Sequence, residues 1–252
     1  MPRDRLRDIA SHRREAGILL DFDGTLSDIA PSPEEALPVE SAAATLEQLG
    51  STFRVVAVVS GRRARDVAEV LGARIRYFGL YGLEDGVDPA GEVPRSIERL
   101  LPQVEQIADN VPGARVEHKG VQLAVHYRGA SNPDAAAGEL RERLGMLADA
   151  HGLTLLEGKR VLELASKDGP TKGDVVRAVA TEAGLRYLLY AGDDVADLAA
   201  FDAIDRLAVS GLVGAKVAVR SLETPEALLS SADVVVEGPP GLIDLLRSMI
   251  HD

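Results

Sequence analysis

The 252-residue chain sets 28 Lys and Arg against 40 Asp and Glu, a formal net charge of −12 that disfavours nucleic acid and anionic membranes as partners. With 46% hydrophobic and 27% charged residues, it has the make-up of a globular protein large enough for a full core. It contains no cysteine, which excludes disulfides and thiolate chemistry and fits a reducing compartment.

The N-terminal MPRDRLRDIASHRREAG is charged throughout and lacks the apolar core of a signal peptide. Leu6, Ile9 and Ala10 at helical spacing predict a solvated helix lying on the domain. No run reaches the ~18 apolar residues of a membrane span. A soluble, cytoplasmic monomer is expected. GILLDF (17–22) predicts a buried strand, and after a turn at Pro31, Pro33 and Pro38, ESAAATLEQLG (40–50) predicts a helix. FRVVAVVS (53–60) follows as a strand, RRARDVAEVLG (62–72) as a helix stopped by Gly72, and RIRYFGLYG (74–82) as a third strand.

From about Gly86 to Ser166 the texture changes. A helix disturbed by Pro102 precedes the alternating strands RVEHKG and VQLAVHYR. A second helix, NPDAAAGELRERLGMLADAHG, precedes LTLLEGKR and VLELAS. The pattern is αββαββ with hairpin-type links. Beyond it, KGDVVRAVATEAG reads as a helix, and 186–192, 205–211 and 232–238 read as strands. SGLVGAKVAVRS (210–221) reads as a strand-loop-helix connection, since its glycine spacing does not fit a dinucleotide loop. Continuous apolar strands separated by helices predict an α/β fold. It should be a doubly wound, mostly parallel sheet of Rossmann type, formed by 1–86 and 166–252 and interrupted by an inserted α+β cap at 87–165.

In such sheets, sites gather at the carboxyl ends of strands. Asp21 and Asp23 follow the first strand, Ser60, Gly61 and Arg62 the second, Lys172 opens a helix, and Asp193, Asp194 and Asp197 follow YLLYA. Each of these alone is ordinary cap or turn chemistry. Together they point to one site. Asp21 and Asp23 fall on the same side of an extended backbone. If Asp193 joins them, two charges ~4 Å apart repel by about 4 kcal/mol at an effective dielectric near 20, a cost that protons or a cation must relieve, and a bound cation explains the pair. All-oxygen ligands without Cys or clustered His favour Mg²⁺; His118, His126, His151 and His251 show no metal-ligand spacing. Asp21 is then a candidate nucleophile toward phosphorus, and Asp23 a candidate acid and base. Gly24, Thr25, Ser60, Gly61 and Lys172 are candidate phosphate contacts, with Arg62 reaching the substrate.

DFDGTL, SGR, the lysine of PTKG and GDDVAD together resemble the four signature motifs of the haloacid dehalogenase superfamily of phosphatases. The resemblance implies Asp21 as nucleophile and Asp23 as acid and base. It also implies Mg²⁺ held by the Asp21 carboxylate, the Asp23 main-chain carbonyl and Asp193, with Asp194 or Asp197 as support or further ligand. YGLEDG, VEHKGVQLAVHYR and GKRVLELAS resemble trehalose-6-phosphate phosphatases, whose cap reads the sugar. That resemblance places Glu117, Lys119, Arg128, Lys159 and Glu163 on the two glucose rings. It implies hydrolysis of trehalose 6-phosphate through an aspartyl-phosphate, with the cap closing over the substrate. Ala196 and Leu198 replace a hydroxyl and an acid of the usual last motif. The alternatives are another sugar phosphate (sucrose phosphate, mannosyl-3-phosphoglycerate, glucosylglycerol phosphate or a pseudo-disaccharide phosphate) or a silent sugar-phosphate-binding subunit.

Overall fold

A computed structural model of the chain describes residues 2–30, 35–87, 95–119 and 121–251, and it divides into two compact units, Met1–Pro89 with Pro170–Asp252, and Ala90–Gly169. The sequence placed the breaks at 86/87 and 165/166. Pro31 and Pro33 of the expected turn lie outside the described residues.

The first unit begins with α1 (Pro2–Ser11), β1 (Ala16–Leu20), α2 (Ala42–Thr52), β2 (Val55–Val59), α3 (Ala64–Leu71), β3 (Arg76–Gly79) and the short β4 (Glu84–Asp85). The second unit comprises α4 (Arg95–Glu98), α5 (Leu101–Asp109), β5 (Arg115–His118), β6 (Leu123–His126), α6 (Pro133–His151), β7 (Leu153–Gly158) and β8 (Val161–Ser166). The chain then completes the first unit with α7 (Lys172–Glu182), β9 (Tyr187–Gly192), α8 (Leu198–Val209), β10 (Val213–Arg220), α9 (Glu226–Ser231), β11 (Val234–Glu237) and α10 (Gly238–His251).

In the first unit the strands line up as β11-β10-β9-β1-β2-β3-β4, parallel throughout except for the β3–β4 pair. Every residue of β1 is buried, because helices cover both faces of the sheet. Ile18 and Leu20 pack with Leu46, Leu49, Leu242 and Leu246 on one side. Leu19 packs with Val176, Val179, Phe201 and Ile204 on the other. From β1 the chain builds outward through β2 and β3, and later returns to add β9 on β1's opposite flank. The carboxyl ends of β1, β2 and β9 are therefore neighbours at the switch point, where such folds hold ligands.

The helix expected from Leu6, Ile9 and Ala10 is α1, with Ile9 and Ala10 buried against the sheet. Gly72 ends α3 in a left-handed conformation at φ 69°. Two elements depart from the sequence expectation. Residues 205–211, expected as a strand, instead lie in and just beyond the last turns of α8. Of their apolar run only Leu207 packs on the helical face whose earlier members, Ala200, Phe201, Ala203 and Ile204, are buried, while Val209 is left exposed. The strand lies further on, at Val213–Arg220, inside the segment expected as a strand-loop-helix connection. Gly214, within that segment, is a strand residue where a Cβ would come within 2.2 Å of Ile204 Cγ2.

In the second unit an antiparallel sheet, β5-β6-β8-β7, carries its apolar face against α5 and α6. Pro102 does break the preceding helical run, leaving α4 and α5 as separate pieces with the proline in the first turn of α5. Among the described residues, no helix is long and apolar enough to cross a membrane.

Candidate active site

Asp21 stands one residue past β1, its N–H donating to the Ala191 carbonyl at 2.9 Å so that the β1–β9 ladder fixes its backbone. The chain turns immediately. Gly24 sits at φ 78°, and a Cβ there would lie 1.9 Å from Asp193 Oδ2. That close approach requires glycine, and it brings DGT against the aspartates that follow β9. Thr25, fully buried, donates its hydroxyl to Asp193 Oδ1 at 3.1 Å. The N–H groups of Gly24 and Thr25 are engaged by the Ser27 and Phe22 carbonyls, at 2.8 and 3.2 Å. These two residues, expected at the phosphate, thus shape the turn and seat Asp193 in this structure.

Lys172 is the first residue of α7, whose start is fixed by reciprocal bonds between Thr171 and Asp174. Its ammonium is buried and shared, 2.8 Å from Asp21 Oδ1 and 2.7 Å from Asp197 Oδ1. Burial works to lower the Lys172 pKa, but Asp197 and Asp21 prevail and raise it above the ordinary lysine range. Asp21 moves the other way from a normal carboxylate. Burial lifts its pKa to about 7, with Lys172 opposing and Asp197 and Asp23 adding to the rise.

Asp21, Asp193 and Asp197 each bring a carboxylate oxygen within 4.8 Å of the others. Their roles separate by hydrogen bonding. Asp197 Oδ1 accepts from Lys172 and from the Tyr190 hydroxyl at 2.7 Å, and Oδ2 accepts from the N–H groups of Asp193 and Asp194, both at 2.9 Å. Four donors fill the lone-pair positions of one carboxylate, so Asp197 braces the loop and the lysine. Gly192 permits this, since a Cβ there would lie 2.2 Å from Asp197 Cγ. Asp194 accepts from Val195 N–H at 2.6 Å, starting the short helical turn Val195–Asp197. Three buried carboxylates against one lysine leave an excess of negative charge on hard oxygen donors. A divalent cation fits that chemistry.

Asp23, the more open of the pair, is gripped by Arg62. Nε of Arg62 donates to Oδ2 at 2.7 Å and Nη2 donates to Oδ1, while the guanidinium lies 5.1 Å over the Phe22 ring. Arg62, expected to reach substrate, is placed on the neighbouring carboxylate. Ser60, buried at the end of β2, accepts from Arg62 N–H at 3.1 Å. Gly61 lies under Tyr81, whose ring a Cβ would meet at 2.8 Å.

Two residues that the sequence left without a role complete this machinery. Glu84 of YGLEDG is buried; it accepts from Ala64 N–H at 2.7 Å and from Arg63 Nε at 3.2 Å, fixing the start of α3 behind Ser60-Gly61-Arg62. An orphan amide at a helix start calls for such an acceptor, but a sequence does not reveal that this one comes from 20 residues away. Tyr190 presents as an ordinary apolar strand residue until its hydroxyl is seen on Asp197.

In the second unit, the register Glu117↔Ala124 and Ala124↔Glu163 aligns two of the expected sugar readers, Glu117 and Glu163, on the sheet face opposite the helices. Lys119 and Glu163 are both buried and bonded at 2.5 Å. Glu117 bonds His126 Nε2 at 2.6 Å. Burial works to raise the Glu117 pKa, but His126 and Lys119 hold it below the usual glutamate value. Arg128 donates to the Lys159 carbonyl at 3.3 Å.

The sequence pattern of the trehalose-phosphatase family matches residues 19–232. The chain belongs to that family, within the haloacid dehalogenase superfamily. A trehalose-phosphate phosphatase of Mycobacterium marinum is 33% identical over 201 residues, 74% of this chain and 51% of that protein. One from Mycobacterium avium is 34% identical over 221 residues, 79% of this chain and 54% of the other. The chain thus spans about half the length of these relatives. The C-terminal domain of the C. albicans trehalose-6-phosphate phosphatase superposes with a TM-score of 0.83 at 20% identity, covering 100% of this chain and 97% of that one, which shows the shared fold. The family match includes both acidic clusters and the whole inserted unit.

Proposed function

We propose that this chain hydrolyses a sugar phosphate monoester, trehalose 6-phosphate, to trehalose and inorganic phosphate, with Mg²⁺ as cofactor. The observation that carries the reading is the buried Asp21 carboxylate, sharing Lys172 with Asp197 and lying within 4.8 Å of Asp193. The relatives named trehalose-phosphate phosphatase support the choice of sugar.

In this mechanism Asp21 attacks phosphorus and forms an aspartyl-phosphate as the bond to the sugar oxygen breaks. Asp23 gives its proton to that oxygen, then takes one from the water that hydrolyses the intermediate. Arg62 keeps Asp23 oriented between the two steps. Lys172 faces the charge carried by the phosphoryl oxygens, and Ser60 with the amides beside Gly61 supplies donors to them. The Asp21 and Asp193 carboxylates with the Asp23 carbonyl would hold Mg²⁺, backed by Asp194 and Asp197. Bound there, the ion offsets the charge of the carboxylates and the phosphoryl group. The inserted unit is the cap in this reading, with Glu117, Lys119, Arg128, Lys159 and Glu163 recognising sugar hydroxyls.

The test is phosphate release with and without Mg²⁺ across trehalose 6-phosphate, other sugar phosphates and p-nitrophenyl phosphate. Asp21→Asn should lose several orders of magnitude of turnover on all of them. Comparable rates in the variant and the wild type would remove Asp21 as nucleophile. An unchanged rate without the metal would remove Mg²⁺.

A further inference from the structure

Gln122 lies at the turn between β5 and β6, its carbonyl accepting from the Lys119 N–H at 3.0 Å. The pairing His118↔Leu123 makes Lys119 and Gln122 opposite partners at the hairpin end. Side chains alternate along β6, so Gln122 shares the face of Ala124, which pairs directly with Glu163. The residue is only 4% exposed, yet among the described residues its side-chain carbonyl oxygen Oε1 has no hydrogen-bond partner. An orphaned buried amide destabilises a fold, and native proteins keep few of them.

We propose that Gln122 is a specificity-determining residue whose amide pairs with a hydroxyl of the substrate's sugar. The inference rests on reading this chain as a sugar phosphate phosphatase. Its chemical basis is what the neighbouring groups lack. Lys119 only donates and Glu163, as a carboxylate, only accepts, and the two are bonded to each other at 2.5 Å. A neutral amide both donates and accepts, as a hydroxyl does, so it matches an uncharged polyol. It offers nothing to an aryl leaving group. A group left unpaired until substrate arrives also rejects ligands that lack the hydroxyl, because the orphan then remains buried.

Gln122→Met keeps the length of the side chain and removes the amide. Wild type is first run on the panel of sugar phosphates, and the one it hydrolyses fastest becomes the probe. A preference for a sugar other than trehalose would overturn the trehalose assignment while leaving the Gln122 comparison in force. The variant should lose about 10- to 100-fold in kcat/KM on that probe. It should stay within about twofold on p-nitrophenyl phosphate. Its apparent Tm should rise by roughly 2–4 °C, since an unsatisfied polar group has been replaced by an apolar one. Monodeoxy analogues of the probe supply an independent readout. One analogue should cost wild type about tenfold or more and cost the variant nothing further, the mark of a direct pair. Unchanged turnover on the sugar phosphate, equal losses on both substrates, a lowered Tm, or analogues that behave alike in both proteins would each overturn the proposal.

Discussion

Asp21→Asn nearly preserves the shape of the site while removing a charge the fold holds at a cost. Burial, reinforced by Asp197 and Asp23 and opposed by Lys172, raises the Asp21 pKa from 3.8 to about 7. A carboxyl with a folded pKa above its unfolded one binds its proton more tightly in the folded state. Its ionisation therefore costs stability as pH rises from 3.8 toward about 7, and the full cost applies above that range. At ~1.4 kcal/mol per pH unit the ceiling is about 4 kcal/mol. An Asn side chain is neutral, like the protonated acid, so the variant should exceed the wild type by about 2–4 kcal/mol at pH 8 in EDTA. The gap should close near pH 4. Urea denaturation of both proteins at the two pH values measures it directly. Adding Mg²⁺ at pH 8 should narrow the gap from the wild-type side, because a ligand of the folded state stabilises it. A variant less stable than wild type at pH 8, or a gap that ignores pH, would show that the surroundings already compensate the Asp21 charge.

Arg62→Lys removes the planar fork on Asp23 while keeping the charge. It should lower kcat about 10- to 100-fold with KM little changed, because Asp23, the acid and base of the proposed mechanism, loses its orientation. Steady-state kinetics on the sugar phosphate reads this, and a change confined to KM would return Arg62 to substrate contact. Glu84→Ala leaves the Ala64 amide without its acceptor and should cost about 1–3 kcal/mol in urea unfolding. A loss below ~0.5 kcal/mol would show that water or another group replaces the glutamate.

The sites that were legible in the sequence were those where one residue type has one physical use. Apolar runs with no polar alternation marked a sheet covered on both faces, and β1 is buried at every position. Acidic residues at strand ends marked the candidate site, and Asp21, Asp193 and Lys172 do meet there. Where one signal served two structures, the reading failed. An apolar stretch at 205–211 fits a strand or the end of a helix, and burial of Phe201 and Ile204 upstream decides for the helix. Gly214 fits a loop or a crowded strand, and the pressure of Ile204 decides for the strand.

The composition and motifs of the chain thus determined the fold class and the gathering of acidic residues at one sheet edge, because charge and hydrophobic period are local properties of a sequence. The assignment of partners was decided only in three dimensions. Arg62 holds Asp23, Thr25 seats Asp193, Tyr190 and Lys172 converge on Asp197, and Gln122 is left over. A hydrogen bond depends on which donor and acceptor arrive within about 3 Å of each other, and that distance is set by packing between segments far apart in the chain.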